Sequence, residues 1–271
     1  MDSITSIFLG IVQGLTEFLP VSSSGHLVLF QHMLGFREPE LLVDISLHIG
    51  TLLAVCIYFS SDLKEMIGET WQFISDFFTG HKRDISISES PHAMLTLWVV
   101  VGTIPTALIG LFFKSPLENL FGDVNRVGVM LICTGLILVG TRLIPKYYIR
   151  RKKVGMITAL AVGVAQGVAI IPGISRSGTT IVCGMVCGMD RELSARFSFL
   201  LSIPAIIGAL VLQLGSEGLG SADIIPVVFG LITSAVVGLI ALKILMGVVR
   251  KGNLFYFAPY CWLLGLSIIV F

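Results

Sequence analysis

Gln13-Gly14-Leu15-Thr16-Glu17-Phe18-Leu19-Pro20-Val21-Ser22-Ser23-Ser24-Gly25-His26 and Gln166-Gly167-Val168-Ala169-Ile170-Ile171-Pro172-Gly173-Ile174-Ser175-Arg176-Ser177-Gly178-Thr179 are two copies of one phrase, 153 residues apart. Aligned without a gap, Gln, Gly, two Ser and a Gly coincide. The first copy adds Glu17 and His26, the second Arg176. Each copy interrupts an apolar run with Pro, Ser and Gly. Polar, helix-breaking residues at membrane depth are expensive, and such positions mark function.

The surrounding chain has membrane composition. Of 271 residues, 55% are hydrophobic and only 13% charged, against about 25% charged in soluble domains. Runs such as Leu131–Leu138 and Ile224–Ile240 are almost uncharged, as a bilayer span of about 20 residues requires. A formal net charge of +1 argues against a nucleic-acid partner. The five cysteines (56, 133, 183, 187 and 261) lie in apolar segments with no metal-ligating partner beside them. Cys183 and Cys187 read as packing residues. The N-terminus has neither a basic n-region nor a small-residue cleavage site, so the first segment is expected to belong to the mature fold.

Cations set the expected topology. Lys64, Lys82 and Arg83, then Arg142 to Lys153, and later Arg191, Arg196, Arg250 and Lys251 fall at one set of segment ends. The opposite loops, 114–126 and 215–223, are cation-poor. The positive-inside rule makes the rich set cytoplasmic. The chain then reads as an all-α polytopic membrane protein with six transmembrane helices and two re-entrant helical hairpins. Residues 1–150 hold a hairpin at 3–35 and spans at 41–59, 93–113 and 125–144. Residues 151–271 hold a hairpin at 155–189 and spans at 192–214, 224–249 and 254–271. The halves share an order but enter from opposite sides, an inverted-topology repeat whose broken helices are expected to meet near the midplane. Both termini are then expected outside. Residues 61–90, where Trp71, Phe73, Phe77 and Phe78 alternate with Glu65, Glu69, Asp76 and Lys82, read as an amphipathic interfacial helix.

Backbone freed at the two breaks survives only inside protein or facing a wet cavity. Arg176, among Ser175, Ser177, Gly178 and Thr180 at a helix start, suits an oxyanion or phosphate. Ser22-Ser23-Ser24-Gly25-His26 offers a nucleophile or proton donor, Ser23 or His26, although serine is also a favoured helix cap. Gln13 and Glu17 share a helix face. A carboxylate there needs a partner: Arg176, His26 or a divalent cation such as Mg²⁺ or Ca²⁺, which takes carboxylates together with substrate phosphates. Asp44 and His48 read as interhelical packing, Lys243 as a snorkelling lysine, and Gln166 as bonding across the repeat. Gly230, Ser234 and Gly238 form a small-residue stripe suited to close helix contact, internal or in a homodimer.

Gln13-x-x-x-Glu17 with Leu19-Pro20-Val21-Ser22-Ser23-Ser24-Gly25-His26, and Pro172-Gly173-x-Ser175-Arg176-Ser177-Gly178-x-Thr180, resemble the two signature regions of bacterial undecaprenyl-diphosphatase, the bacitracin-resistance protein family. The resemblance covers essentially the whole chain. It implies an integral phosphatase of the bacterial inner membrane that converts undecaprenyl diphosphate to undecaprenyl phosphate and inorganic phosphate, recycling the carrier for cell-wall polymers. By motif position it implies Glu17, Ser23, His26 and Arg176 as active-site residues, and Ser175, Ser177 and Thr180 as the phosphate loop; Ser22, Ser24 and Gly178 are expected to bind phosphate with them. Gln13 stands where many members have Glu, which puts metal binding there in doubt. The competing expectation is an inverted-repeat secondary transporter or lipid flippase, whose usual architecture has discontinuous helices. A phosphatidic-acid-type phosphatase, suggested by Ser24-Gly25-His26, lacks its other Arg, His and Asp motifs here.

Overall fold

The computed structural model describes residues 2–34, 41–79, 90–113, 123–145, 147–217 and 224–270. In chain order the helices are α1 (Ser3–Phe18), α2 (Ser23–Met33), α3 (Leu41–Tyr58), α4 (Ser60–Thr79), α5 (Pro91–Phe112) and α6 (Val124–Gly140). They are followed by α7 (Met156–Val168), α8 (Arg176–Val186), α9 (Arg191–Glu217), α10 (Ile224–Lys251) and α11 (Ala258–Val270). No named strand occurs among the described residues.

Among the described residues four helices, α5, α6, α9 and α10, are long and apolar enough to cross a membrane. Two of the six expected spans are not among these four. The span expected at 41–59 is α3, which turns by 75° into α4 and counts as a fifth crossing only if the bent pair is one span. The span expected at 254–271 is a single 3₁₀ turn, Leu254–Phe257, followed by α11. Gly252, with φ +76°, ends α10 and starts this segment late. The described part, Leu254–Val270, is a shorter apolar helical segment, at the lower end of the lengths that span a bilayer.

Both expected hairpins are helix–break–helix units. The first breaks at 19–22 between α1 and α2, the second at 169–175 between α7 and α8. Each second helix starts on a serine cap. Ser22 Oγ accepts from the Gly25 N–H at 3.3 Å, and Ser175 Oγ from the Gly178 N–H at 3.1 Å. These are equivalent positions of the repeated phrase. Each cap removes one of the four orphan donors of a helix start.

Contacts between the two halves are reciprocal in element order. α1 packs on α10 and α7 on α5. A Cβ on Gly14 would lie 2.9 Å from the Gly238 nitrogen and the Ser234 carbonyl oxygen. A Cβ on Gly163, the equivalent of Gly10, would fall on the Gly102 carbonyl oxygen. The stripe Gly230–Ser234–Gly238 is therefore taken up inside the chain, against Gly10, Gly14 and Gly50, and is not free to form a seam between copies. Gln166 crosses the halves as expected. Its Nε2 donates to Thr106 Oγ1 at 3.2 Å, while that hydroxyl donates to the Gly163 carbonyl at 2.8 Å. The largest apolar cluster, with Phe18, Phe197, Phe199, Leu201 and Leu242, lies where α1, α9 and α10 converge.

Several of the basic residues assigned to one side form ion pairs with neighbouring acidic residues. Lys152 pairs with Asp190 at 2.7 Å, Arg250 with Glu192 at 2.7 Å, and Arg196 with Asp62. The last two pairs border a cleft of about 190 Å³. α4 exposes Ile67, Trp71, Ile74 and Phe78 along one face. Its Glu65 and Glu69 clasp the His92 ring at the start of α5, at 2.6 and 2.8 Å. Over 60–79 the helix is amphipathic, as expected there; residues 80–89, Lys82 among them, and the Phe77 side chain lie outside the described residues. The cation-poor loops and the end of the first hairpin also lie largely outside them. Asp44 accepts from Gln31 of α2 at 2.8 Å, an interhelical contact, whereas His48 Nδ1 donates within α3 to the Asp44 carbonyl at 2.8 Å. Lys243 is exposed.

The close glycine contacts are testable. Gly163→Ala is expected to cost about 1–3 kcal/mol, as overpacking against backbone does, and to lower the thermal unfolding midpoint in detergent. Gly68→Ala, where a Cβ meets nothing within 4 Å, is expected to leave the midpoint unchanged or raise it slightly.

Candidate active site

Three expected site residues meet at one point. Glu17 lies in the last turn of α1, and Ser23 and Arg176 are the first residues of α2 and α8. Ser23 and Arg176 occupy the same position in the repeated phrase. Both reach Glu17: Ser23 Oγ donates to Oε2 at 2.6 Å, and Arg176 Nη2 pairs with Oε1. Gln13 Nε2, one turn back, also donates to Oε2, at 2.9 Å. The Glu17 side chain is 6% exposed and that of Arg176 17%. A carboxylate buried this deeply is tolerable because a guanidinium and two neutral donors surround it.

The two breaks are locked together by small residues. A Cβ on Gly25 would lie 3.3 Å from the Gly173 Cα, and one on Gly178 would lie 3.1 Å from the Pro20 Cβ. Gly173 has φ +93° and lies directly on the backbone of α6. Ser22 is the one non-glycine residue with positive φ, 68°, among the described residues. Strain of that kind, held in place by its surroundings, gathers at functional sites. Thr134 of α6 staples the second break, accepting from the Ser175 N–H at 3.0 Å and donating to the Gly173 carbonyl at 2.8 Å.

The remaining expected residues have other partners. Ser24 Oγ lies 3.3 Å from Ser22 Oγ, and Ser177 Oγ 3.3 Å from Ser175 Oγ. The Thr180 hydroxyl is held by the Arg176 carbonyl at 2.7 Å and by Ser198 Oγ of α9 at 2.5 Å, which ties α8 to α9. His26 lies one turn beyond Ser23, and its ring engages a different group. Nδ1 lies 2.8 Å from the Ser22 carbonyl and Nε2 2.7 Å from the Tyr260 hydroxyl of α11. The two rings are parallel, at 4°, with centroids 5.7 Å apart. Neither Tyr260 nor Thr134 was singled out in the sequence, since each is an isolated polar residue in an apolar helix.

Two buried polar atoms at the site have no hydrogen-bond partner among the described residues: Arg176 Nη1 and Gln13 Oε1. The first is a cationic donor suited to an oxyanion. The second is a neutral oxygen that, with Glu17, could offer a hard cation two protein ligands. No group of three or more His, Cys, Asp or Glu side chains is gathered for a metal among the described residues. A cation would therefore draw most of its oxygens from a bound ligand, as Mg²⁺ commonly does.

Residues 6–267 match the family model described as bacitracin resistance protein BacA. A curated protein of Desulfatibacillum aliphaticivorans, named undecaprenyl-diphosphatase, is 46% identical over 266 residues, covering 97% of this chain and 96% of that protein. Proteins of the same name from Halothermothrix orenii and Methanobrevibacter smithii are 44% and 41% identical, covering 100% and 99% of this chain and 98% and 97% of theirs. The match of the family model and of these relatives runs almost from end to end, and the chain belongs to the bacitracin resistance protein BacA family.

Proposed function

We propose that this chain is an integral membrane phosphatase that hydrolyses undecaprenyl diphosphate to undecaprenyl phosphate and inorganic phosphate. The observation that carries this reading is the convergence of Ser23 and Arg176, from two separate helix breaks, on one buried carboxylate. A hydroxyl held by a carboxylate is an activated nucleophile with its base. A guanidinium with one free nitrogen beside it is an anion clamp.

The terminal phosphate enters on Arg176 Nη1, and the N-terminus of α8, with Ser175, Ser177 and Gly178, faces the same charge. Phosphoryl transfer needs mainly positioning and neutralisation of the equatorial oxygens. Ser23 Oγ attacks the terminal phosphorus and passes its proton to Glu17 Oε2, while the bond to the bridging oxygen breaks and undecaprenyl phosphate leaves. Water then attacks the phosphoserine and gives its proton to His26. The Ser23 Oγ–P bond breaks, Glu17 returns the proton to Ser23, and inorganic phosphate is released. A divalent cation, Mg²⁺ or Ca²⁺, would be held by Glu17, Gln13 Oε1 and diphosphate oxygens, and would supply further charge neutralisation. The prenyl chain lies along the apolar surfaces of α3, α9 and α10.

The membrane arrangement belongs to the same proposal. The halves 1–150 and 151–271 form an inverted repeat, their hairpins re-entrant and their breaks near the midplane. Reciprocal packing of α1 on α10 and α7 on α5 supports this. The cation-rich set of segment ends that includes Lys152, Arg196 and Arg250 supports a cytoplasmic face there and termini on the outer side of the bacterial inner membrane. Product release in this reading recycles the lipid carrier and underlies bacitracin resistance.

Phosphate release by purified protein from C55 and C15 diphosphates, with and without chelator, tests the activity. Arg176→Ala and His26→Ala are each expected to lower turnover at least about 100-fold in folded protein, and His26→Ala to accumulate phosphoserine at Ser23. Near-normal turnover in either variant, or lipid transport in proteoliposomes without hydrolysis, counts against the proposal. Stability tests the ion pair separately. Glu17→Gln and Arg176→Gln are each expected to cost about 3–5 kcal/mol by stranding a buried charge, and the double variant less than their sum, in thermal melts.

A further inference from the structure

Tyr260 is joined to the candidate site by one hydrogen bond and lies 234 positions from its partner in the chain. Both nitrogens of His26 are occupied. The Ser22 carbonyl can only accept, so Nδ1 carries a proton and donates it. In the neutral ring Nε2 is then a bare lone pair, and the atom opposite it, at 2.7 Å, is the Tyr260 hydroxyl, which donates. The His26 residue is 3% exposed and Tyr260 47%. The Tyr260 hydroxyl is the hydrogen-bond partner of Nε2, so a proton reaching that nitrogen passes through the phenol oxygen. The neighbouring Cys261 anchors this part of α11, its Sγ donating to the Pro20 carbonyl in the first break at 3.6 Å. Parallel rings hold the hydroxyl in line with the imidazole.

We infer that Tyr260 is a proton-relay residue of the reaction, through whose hydroxyl His26 takes up the proton of the attacking water. This rests on the phosphatase reading and on His26 as the base of the second step. As the water oxygen bonds to phosphorus, its proton moves to the Tyr260 oxygen and the Tyr260 proton moves to His26 Nε2. The phenol ends neutral, the imidazole is protonated, and the Ser23 Oγ–P bond breaks. Reversal of the same two transfers to bulk water resets the pair. A phenol suits this role because one oxygen both donates and accepts.

The test is turnover of Tyr260→Phe, His26→Ala and the double variant on the C15 diphosphate, with thermal melts as a fold check. Tyr260→Phe keeps the ring and is expected to lower kcat about 100-fold, the scale of a lost general acid–base group, with KM within about twofold of the parent. Because the two residues act as one unit, the double variant is expected to turn over no more slowly than His26→Ala alone. Tyr260→Phe at more than half the parent turnover, or a double variant slowed by the product of the single effects, overturns the relay. His26→Ala at near-normal turnover overturns the assignment of His26 itself. If Tyr260→Phe fails to fold, the unmodified protein decides. Turnover in mixtures of light and heavy water is expected to curve with isotope fraction, as two moving protons require, and a straight line overturns the relay.

Discussion

A carboxylate and a guanidinium buried in an apolar chain persist only together, and the Glu17–Arg176 pair is placed where two broken helices meet. Either charge alone would impose a penalty of several kcal/mol, more than most single contacts return. The pair therefore dictates register. α1 must end, and α8 must begin, within reach of one point. The serine caps Ser22 and Ser175 then satisfy helix starts that would otherwise be left open in low dielectric. Positive φ at Ser22 and Gly173 is the conformational cost of bringing both starts there.

Small residues make this meeting possible. Hydrophobic burial gives little reason for helices to associate in lipid, so close backbone packing and hydrogen bonds must hold them. Gly14 against Ser234 and Gly238, Gly163 against Gly102, and Gly25 against Gly173 bring backbones nearly into contact. Gln166 and Thr106 add hydrogen bonds across one of these seams. The hairpins are thus embedded reciprocally, α1 in the second half and α7 in the first. A short helix pair with a polar break could not be held this rigidly by side-chain packing alone.

Much of this was legible in the sequence because it is local or periodic. The 153-residue offset exposed the breaks, the caps and the shared polarity of Glu17, Ser23 and Arg176. A buried Glu17 needed a partner, and Arg176 was one of three candidates by charge alone. What escaped reading depends on distant neighbours. Nothing near Tyr260 or Thr134 marks them as site residues, because their partners, His26 and the 173–175 break, lie far away in the chain. Hydropathy also reads 254–271 as one continuous span, whereas the chain enters it through the Gly252 turn and a 3₁₀ turn before α11. The Gly230–Gly238 stripe signalled a close contact correctly but not its partner, since a small residue carries no information about which helix fills its groove.

The repeat is also unequal, and electrostatics gives the reason. At the position equivalent to Glu17 the second copy has Ile170, and at the position equivalent to Arg176 the first has Ser23. A second carboxylate at 170 would have required a second buried cation, and an arginine at 23 would have left two guanidiniums to one Glu17. With one of each, the site is neutral before a ligand arrives, and Arg176 still presents an uncommitted Nη1. The hydroxyl of Ser23 fills the place of the second cation without charge and donates to Glu17 instead; in the proposed reaction it is the nucleophile. His26, whose equivalent is Thr179, keeps the one ring in either copy that can accept a proton. Divergence between the copies thus turns two equivalent helix starts into a charged one and a neutral one, the division of labour that the proposed reaction uses.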